Sequence, residues 1–584
     1  MVRDEVLALY KERRSVHERD RDERRQKLSL VSYARLATFA AGVALLWFVW
    51  ERAPAIWPSL LLPLALFGGL LAIHVRLADA LHRVERALKF YDFGIARLEG
   101  TWPGKGRPGD HFVEEDHPYA RDLDLFGKGS LFELLDTTVS PWGASTLASW
   151  LKHPATLEEM VSRQAAVAEL KPLLDLRERV ASEPTDENEI ADPKALLKWA
   201  TAPSVLISRP AMRWAAFALG AATTAFAILW LASRLDRVVF LFGLAVSASF
   251  ALGFRSRVQA VLEAAEAPSR DLTVLASLLE ILEREPFRAP LLISLQGRLG
   301  ADGEAASTRI RRLARLIEYL DARRNQLFAP LAALLLWGTQ FAFAIEAWRR
   351  VSGSQVPVWL ATVGELDALL ALAGHAFENP EDVFPVPSPT SPRFEAEGLG
   401  HPLIRPERLV RNDLKLDESL PLLVVSGSNM SGKSTLLRSV GVNAVLALAG
   451  SPVRATRLTL SRLDVAASIR VEDSLQEGIS HFYAEILRLR QIMELTRREI
   501  PVLFLLDEIL QGTNSHDRRI GAEAVVRGLL DRGAIGLITT HDLALSRLAE
   551  TLNGRAANVH FEDHLEDGKV RFDYRMREGV VTKS

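Results

Sequence analysis

A short aliphatic strand that runs into a glycine-framed loop and then into a helix constrains this chain more than any other stretch. Leu422 to Val425 are all apolar, Gly427-Ser428-Asn429-Met430-Ser431-Gly432-Lys433-Ser434 follows at once, and an apolar-periodic run begins after Thr435. Glycines at that spacing let the backbone turn tightly, so that successive N–H groups converge on phosphate oxygens at a helix N-terminus. In this arrangement residues Gly427 to Thr435 cradle ATP. Lys433 reaches the β- and γ-phosphates, and the Ser434 hydroxyl ligates Mg²⁺. A plain Gly/Ser turn between a strand and a helix would not require the full spacing together with both flanks.

Two later strands end in polar residues. The aliphatic run after Pro501 closes on Asp507-Glu508, the pattern of a buried parallel strand whose C-terminal tip carries ligand-facing carboxylates. Asp507 is placed to hold Mg²⁺ and Glu508 to act as general base toward the attacking water. Ile535 to Thr540 is another strand, ending at His541, which is placed to sense the γ-phosphate. The polar loop from Ile509 to Asp517 is suited to crossing a dimer interface. Upstream, Gly478 and Ser480 precede a helix and form a second anion-binding helix start.

With 584 residues the chain is too long for one core. A net charge of -2 gives no global basic field for nucleic acid, and the absence of cysteine excludes disulfides, thiol catalysis and Cys-ligated metals. Leu36 to Trp50 and Ala53 to Val75 are uncharged and separated only by Glu51-Arg52. Trp214 to Ser233 and Val238 to Phe254 repeat the pattern around Arg234-Leu-Asp-Arg237. A bilayer span needs about 20 apolar residues, so each pair reads as a transmembrane helical hairpin. Arg35, Arg76, Arg209, Arg213, Arg255 and Arg257 flank the pairs, which keeps their outer ends cytoplasmic by the positive-inside rule. Asn325 to Ile345 is nearly as apolar but holds Asn325, Gln326, Pro330 and Gln340. A fifth span would put the phosphate loop outside, so this stretch is expected to be a buried helix.

The remaining chain reads as helical, soluble blocks. Residues 1–29 mix both charge signs and are expected to be an exposed helix. Helical periodicity from Gly129 to Leu151 is interrupted at Ser140-Pro141, and Glu158 to Leu174 continues it. In the helical block from Asp271 to Tyr319, Arg309 to Arg315 form a basic stripe that either meets phosphates or is a solvated helix face. Four prolines between Pro385 and Pro392 mark 375–400 as a linker.

Taken together, G-S-N-M-S-G-K-S-T, the following G-S-P-V-R-A, the acid pair running into G-T-N-S and the T-T-H of the last strand resemble the ATPase domain of the MutS mismatch-repair family. His401-Pro402 and Asn412-Asp413 resemble its lead-in, and Gly129 to Gly143 with Leu147 to Leu151, Pro154 and Arg163-Gln164 to Leu170 looks like its helical core (lever) domain. The resemblance covers 395–584 well and 120–350 loosely. It implies a homodimer with a composite site, in which Lys433, Ser434, Asp507, Glu508 and His541 act in cis and Ser480 reaches the partner's γ-phosphate. Several features depart from the family: Ser431-Gly432 stands where two glycines are usual, His481 where Thr is preferred, and nothing resembles the mismatch-reading domain. Phe112-Val-Glu114 matches the family's wedge pattern but lies in a Gly/Pro-flanked linker, where it is expected to be coincidental. The second hairpin falls inside the lever, near where a DNA clamp would sit.

The expected fold is thus an α/β P-loop NTPase domain of ABC/MutS type with a mostly parallel sheet, preceded by an all-α lever domain carrying two transmembrane hairpins. The expected order is a charged segment 1–29, hairpin 30–76, linker 77–119, helical core 120–208, hairpin 209–255, helical core 256–374, linker 375–400 and ATPase domain 401–584. The chain is expected in the cell (inner) membrane, multi-pass, with the ATPase domain cytoplasmic. Two outputs stay open: DNA processing of mismatched or branched substrates, or a mechanochemical role without DNA. A transporter is disfavoured because the spans hold almost no polar residue.

Overall fold

The structure, a computed structural model, describes all residues except 1, 53–58, 184–192, 204–205, 207–209, 267–271, 300–302, 327, 429, 471–480, 512, 542–547, 553, 567–568 and 581–584. Helix α1 (Arg3–Arg52) runs unbroken from the charged segment into the first apolar stretch, and α2 (Leu61–Leu98) returns along it. At 1.5 Å per residue, α1 is about 75 Å long. The expected linker 77–119 is therefore helix as far as Leu98. Leu81, Val84, Leu88 and Tyr91 recur at helical spacing and are buried, which carries α2 past the apolar stretch. The start of α1 also differs from the exposed segment expected at 1–29. Val6 and Tyr10 are fully buried, and Tyr10 packs on Tyr91 and Phe377.

A helical body follows, formed by α3 (Leu131–Leu135), α4 (Pro141–Lys152), α5 (Leu157–Leu170), α6 (Leu174–Ala181) and α7 (Pro193–Thr201). The break expected at Ser140-Pro141 is a helix start: Ser140 caps α4 by accepting the Gly143 N–H, and Pro141 occupies the first turn. Thr156 and Glu159 form a capping box on α5. After α8 (Pro210–Leu231) and α9 (Arg237–Glu266) the body resumes with α10 (Leu272–Arg284), α11 (Pro290–Gly297), α12 (Ala306–Asp321), α13 (Ala329–Leu334), α14 (Trp337–Ser352) and α15 (Val356–Glu378). The last of these is apolar nearly all round and forms the buried axis of the body. The stretch from Asn325 to Ile345 is two helices rather than one. Leu336 adopts a left-handed conformation (φ 51°) between α13 and α14, and burial begins in earnest at Thr339, Ala342 and Phe343.

Among the described residues, five helical segments are long and apolar enough to cross a membrane, by length and composition. Their apolar windows divide sharply. Those in α1, α2, α8 and α9 are 0%, 0%, 22% and 6% buried, whereas the window in Trp337–Glu378 is 78% buried within the body. Between α8 and α9, the Thr223 and Ser247 hydroxyls hydrogen-bond to each other at 2.6 Å, so these buried polar groups satisfy one another.

The head contains two sheets. In the smaller, β1 (Val386–Pro387), β2 (Arg393–Leu399), β3 (Asn412–Asp417) and β5 (Arg457–Leu460) lie in the order β1-β5-β2-β3. The proline-rich segment 375–400 is thus less a linker than expected: it contributes the end of α15, an edge strand that tolerates Pro387, and β2, whose Phe394 is fully buried. The larger sheet comprises β4 (Leu422–Ser426), β6 (Asp464–Ser468), β7 (Val502–Leu506), β8 (Ile535–Thr540), β9 (Ala556–Glu566) and β10 (Lys569–Glu578), in the order β10-β9-β4-β8-β7-β6. All its pairings are parallel except β9 with β10. Helices α16 (Lys433–Ala449), α17 (His481–Leu495), α18 (Ser515–Leu530) and the short α19 (Leu548–Thr551) also belong to the head. Gly536 is required by close packing, because a Cβ there would stand 2.1 Å from the Phe504 carbonyl oxygen.

Candidate active site

Strand order places the site. β4 lies between β8 and β9, so the loop after β4 opens at the carboxyl ends of parallel strands, where ligands bind in open α/β sheets. Gly427 (φ 152°) and Gly432 (φ 106°) shape the loop, and Met430 at its tip is left-handed and largely exposed. The Lys433 ammonium is folded back: it donates to the carbonyls of Gly427 and Ser428, each at 2.8 Å, and lies 3.4 Å from Glu508 Oε1. Ser431 is buried inside the loop, and its Oγ has no hydrogen-bond partner among the described residues.

The acid pair sits at the tip of β7, beside β8. Thr539 joins the two acids, donating its hydroxyl to Asp507 Oδ1 and accepting the Glu508 N–H at 3.0 Å. Asp507 also donates its N–H to the Ser468 carbonyl of β6 at 2.9 Å. Glu508 is a non-glycine residue at φ 48°, which turns its carboxylate toward the phosphate loop. Its Oε2 lies 3.1 Å from His541 Nδ1 and accepts from Gln511. The structure therefore brings together Lys433, Asp507, Glu508 and His541, with His541 held on the acid. Asn429 and Ser480 lie outside the described residues, so the expected roles of the loop asparagine and of the second helix start have no geometry here.

A cleft of about 920 Å³ runs from this cluster along the phosphate loop, lined by Ser428, Met430, Gly432, Ser434, Thr435 and the acid pair. For Mg²⁺, the Ser434 hydroxyl and the Asp507 carboxylate are suitable oxygen donors. Among the described residues no three His, Cys, Asp or Glu side chains are arranged to hold a metal ion by themselves. A cation here would complete its shell with phosphate and water oxygens, as Mg²⁺ does at nucleotide sites.

Sequence reasoning missed the far wall of the cleft. A register shift in β10 between Phe572 and Met576 projects Tyr574 (φ 56°) over the loop, so close that a Cβ on Gly432 would meet its ring at 3.1 Å. Asn412 holds this bulge, donating to the Tyr574 carbonyl at 3.1 Å and accepting the Met576 N–H at 2.8 Å. Leu409, His401 and Glu485 also line the cleft. Burial, reinforced by Arg438 and Arg454, pushes His401 down to about 4. It is therefore neutral at pH 7, and its Nδ1 accepts the Leu403 N–H at 3.2 Å. No local sequence pattern marks a bulge inside β10.

The expected basic stripe is not one face. Arg309 is buried and 3.6 Å from Glu304, Arg311 pairs with Glu280, and Arg312 and Arg315 are the exposed members. Phe112 packs on Phe126 and Phe132, and Glu114 pairs with Lys152, so Phe112-Val-Glu114 is held within the fold.

Comparison with known proteins agrees with this geometry. The MutS domain V family model matches residues 423–584. The chain is 35% identical over 219 residues to the Thermus thermophilus protein named Endonuclease MutS2, covering 37% of this chain and 27% of that protein. It is 33% identical over 231 residues to the DNA mismatch repair protein MutS of Shouchella clausii, covering 38% of this chain and 26% of that protein. The corresponding Exiguobacterium protein is 36% identical over 229 residues, covering 38% and 26%. The chain thus spans about a quarter of the length of these curated relatives. The part of the chain that carries the phosphate loop and the acid pair of this cleft, residues 423–584, thus matches MutS domain V.

Proposed function

We propose that this chain is a membrane-anchored ATPase that binds and hydrolyses Mg²⁺-ATP at the interface of a homodimer, and that it passes the resulting head movement to its membrane hairpins. The carrying observation is the convergence of Lys433, Asp507 and Glu508 on one cleft at the carboxyl ends of parallel strands, with His541 against Glu508. On nucleotide binding, Lys433 exchanges the Gly427 and Ser428 carbonyls for phosphate oxygens. Glu508 takes a proton from water as the water oxygen bonds the γ-phosphorus, and the bond to the ADP leaving oxygen breaks. His541 orients Glu508, and Ser480 of the partner subunit completes the site. Mg²⁺, held through Ser434 and Asp507, would neutralise charge developing on the phosphates.

Membrane anchoring draws support from the four apolar windows in α1, α2, α8 and α9, three of them under 10% buried. A bilayer is the solvent that such surfaces suit. A mechanical output draws support from the stem of the first hairpin. Arg3 donates to Asn379 Oδ1 at 2.6 Å, the same oxygen accepts from Arg454 of the head at 2.9 Å, and Arg97 on α2 pairs with Glu378 at the end of α15. One part-buried polar cluster thus joins hairpin, body and head. The names of the relatives favour DNA as a second reading, whereas the internal pairing of Arg309 and Arg311 weakens the phosphate-binding surface it needs. ATPase assays in nanodiscs with and without duplex or branched DNA separate the two. Salt-sensitive stimulation would move the load to DNA.

A further inference from the structure

Helix α17 is gripped at two points one turn apart. The Glu485 carboxylate, 3% exposed, accepts the N–H of Leu510. Three residues on, Arg488 donates to the His117 carbonyl and to Asp122 Oδ2, each at 3.0 Å. Asp122 precedes the helical body and is 1% exposed, and its other oxygen accepts the N–H groups of Ile469 and Arg470 at 2.7 and 2.8 Å, just beyond β6. One buried carboxylate from outside the ATPase domain therefore fixes both α17 and the end of β6.

The turn held by Glu485 is the one that presents Glu508. Glu508 (φ 48°) and Leu510 (φ 59°) are both left-handed without being glycine. Such a backbone persists only where its surroundings over-determine it. Two of its tethers, Ser468 to the Asp507 N–H and Thr539 to the Glu508 N–H, belong to the sheet. A third, Glu485 to the Leu510 N–H, comes from α17, which Arg488 ties to Asp122, while Arg518 of α18 donates to the Leu510 and Gln511 carbonyls at 3.1 Å each.

We infer that Glu485 and Asp122 are positioning residues for ATP hydrolysis: through Asp122–Arg488 and Glu485–Leu510, α17 sets the Glu508 turn according to how the helical body sits on the head. This rests on the reading of Glu508 as general base.

The test compares the full chain in nanodiscs with Glu485→Leu, Glu485→Gln, Asp122→Asn and Asp122→Asn/Glu485→Leu, measuring kcat and the affinity for a fluorescent ATP analogue. Glu485→Leu should lower kcat about 10- to 100-fold with nucleotide affinity within about twofold, as expected when a reacting group is misplaced. Glu485→Gln, whose amide oxygen still accepts the Leu510 N–H, should recover most of the rate. Asp122→Asn should slow turnover less, and the double variant should be no slower than Glu485→Leu alone. If Glu485→Leu does not fold, Asp122→Asn decides, by a fall in kcat at constant affinity. Wild-type kcat in the surviving variants, no recovery with Gln, parallel loss of kcat and affinity, or additive losses would each overturn the inference. A wild-type chain without ATPase activity removes the hydrolytic reading and this inference together. An active wild type indifferent to these changes removes the inference alone.

Discussion

The Lys433 ammonium lies 3.4 Å from the Glu508 carboxylate while donating to two loop carbonyls. The proposed base and the proposed phosphate-binding lysine thus lie within ion-pair distance of each other, and a phosphate bound at the loop would compete with Glu508 for Lys433. Replacing Glu508 with Ala removes both this pairing and the proton acceptor. We expect Glu508→Ala to bind ATP at least as tightly as wild type, to lose about 100-fold or more in kcat, and to accumulate a nucleotide-dependent dimer on sizing. An unchanged hydrolysis rate would end the general-base assignment.

Lys433→Ala separates binding from chemistry at the same site. A charge-assisted contact to phosphate is worth about 1.5–3 kcal/mol, so ATP affinity should fall by about 10- to 100-fold. Nucleotide titration reads this directly; affinity equal to wild type would contradict it.

Arg97 and Glu378 are both almost wholly buried and make a paired, two-bond contact between α2 and α15. Leaving one buried charge without its partner costs about 3–5 kcal/mol. Glu378→Met should therefore destabilise strongly in denaturant unfolding, and Arg97→Met/Glu378→Met should recover much of the loss. A double variant less stable than the single would show that the charges, and not the packing, hold the hairpin stem to the body.

His117 gives the head–body contact a pH dependence. Burial lowers it from 6.5 to about 4, and its Nδ1 accepts the Ala120 N–H at 3.2 Å, a bond that requires the neutral ring. The unfolded chain binds this proton more readily, so its contribution is fully present above about pH 6.5 and is lost as pH falls toward 4. Burial raises Asp367 and Asp382 to about 6, and these carboxyls act in the opposite sense between their ordinary values and pH 6. His117→Asn should flatten the fall in Tm between pH 6.5 and 4 relative to wild type. Parallel profiles would exclude a titrating role for this ring.

Which residues meet at the cleft was legible because their signals are local. Gly427 to Ser434 and Asp507-Glu508 each occupy a strand end whose neighbours declare it by aliphatic runs. What escaped sequence reading depends on distant pairing. Tyr574 reaches the loop through a bulge that Asn412 stabilises from 162 residues away. Pro387 and Phe394 belong to a sheet that the prolines disguise as linker, since an edge strand accepts a residue without an N–H. The basic run at Arg309 to Arg315 looked like one face because spacing alone does not reveal that Glu280 and Glu304 meet it. The stem of α1 looked solvent-exposed for the converse reason: few apolar residues suffice when Tyr10 and Val6 are the ones that turn inward.

The most direct test of the central claim is the ATPase rate of the full chain in nanodiscs, with Glu508→Ala as control, with and without duplex DNA across a salt series. The account predicts Mg²⁺-dependent turnover that Glu508→Ala abolishes and that DNA leaves unchanged at every salt concentration. Failure to reconstitute into the bilayer, or turnover that survives in Glu508→Ala, would contradict it.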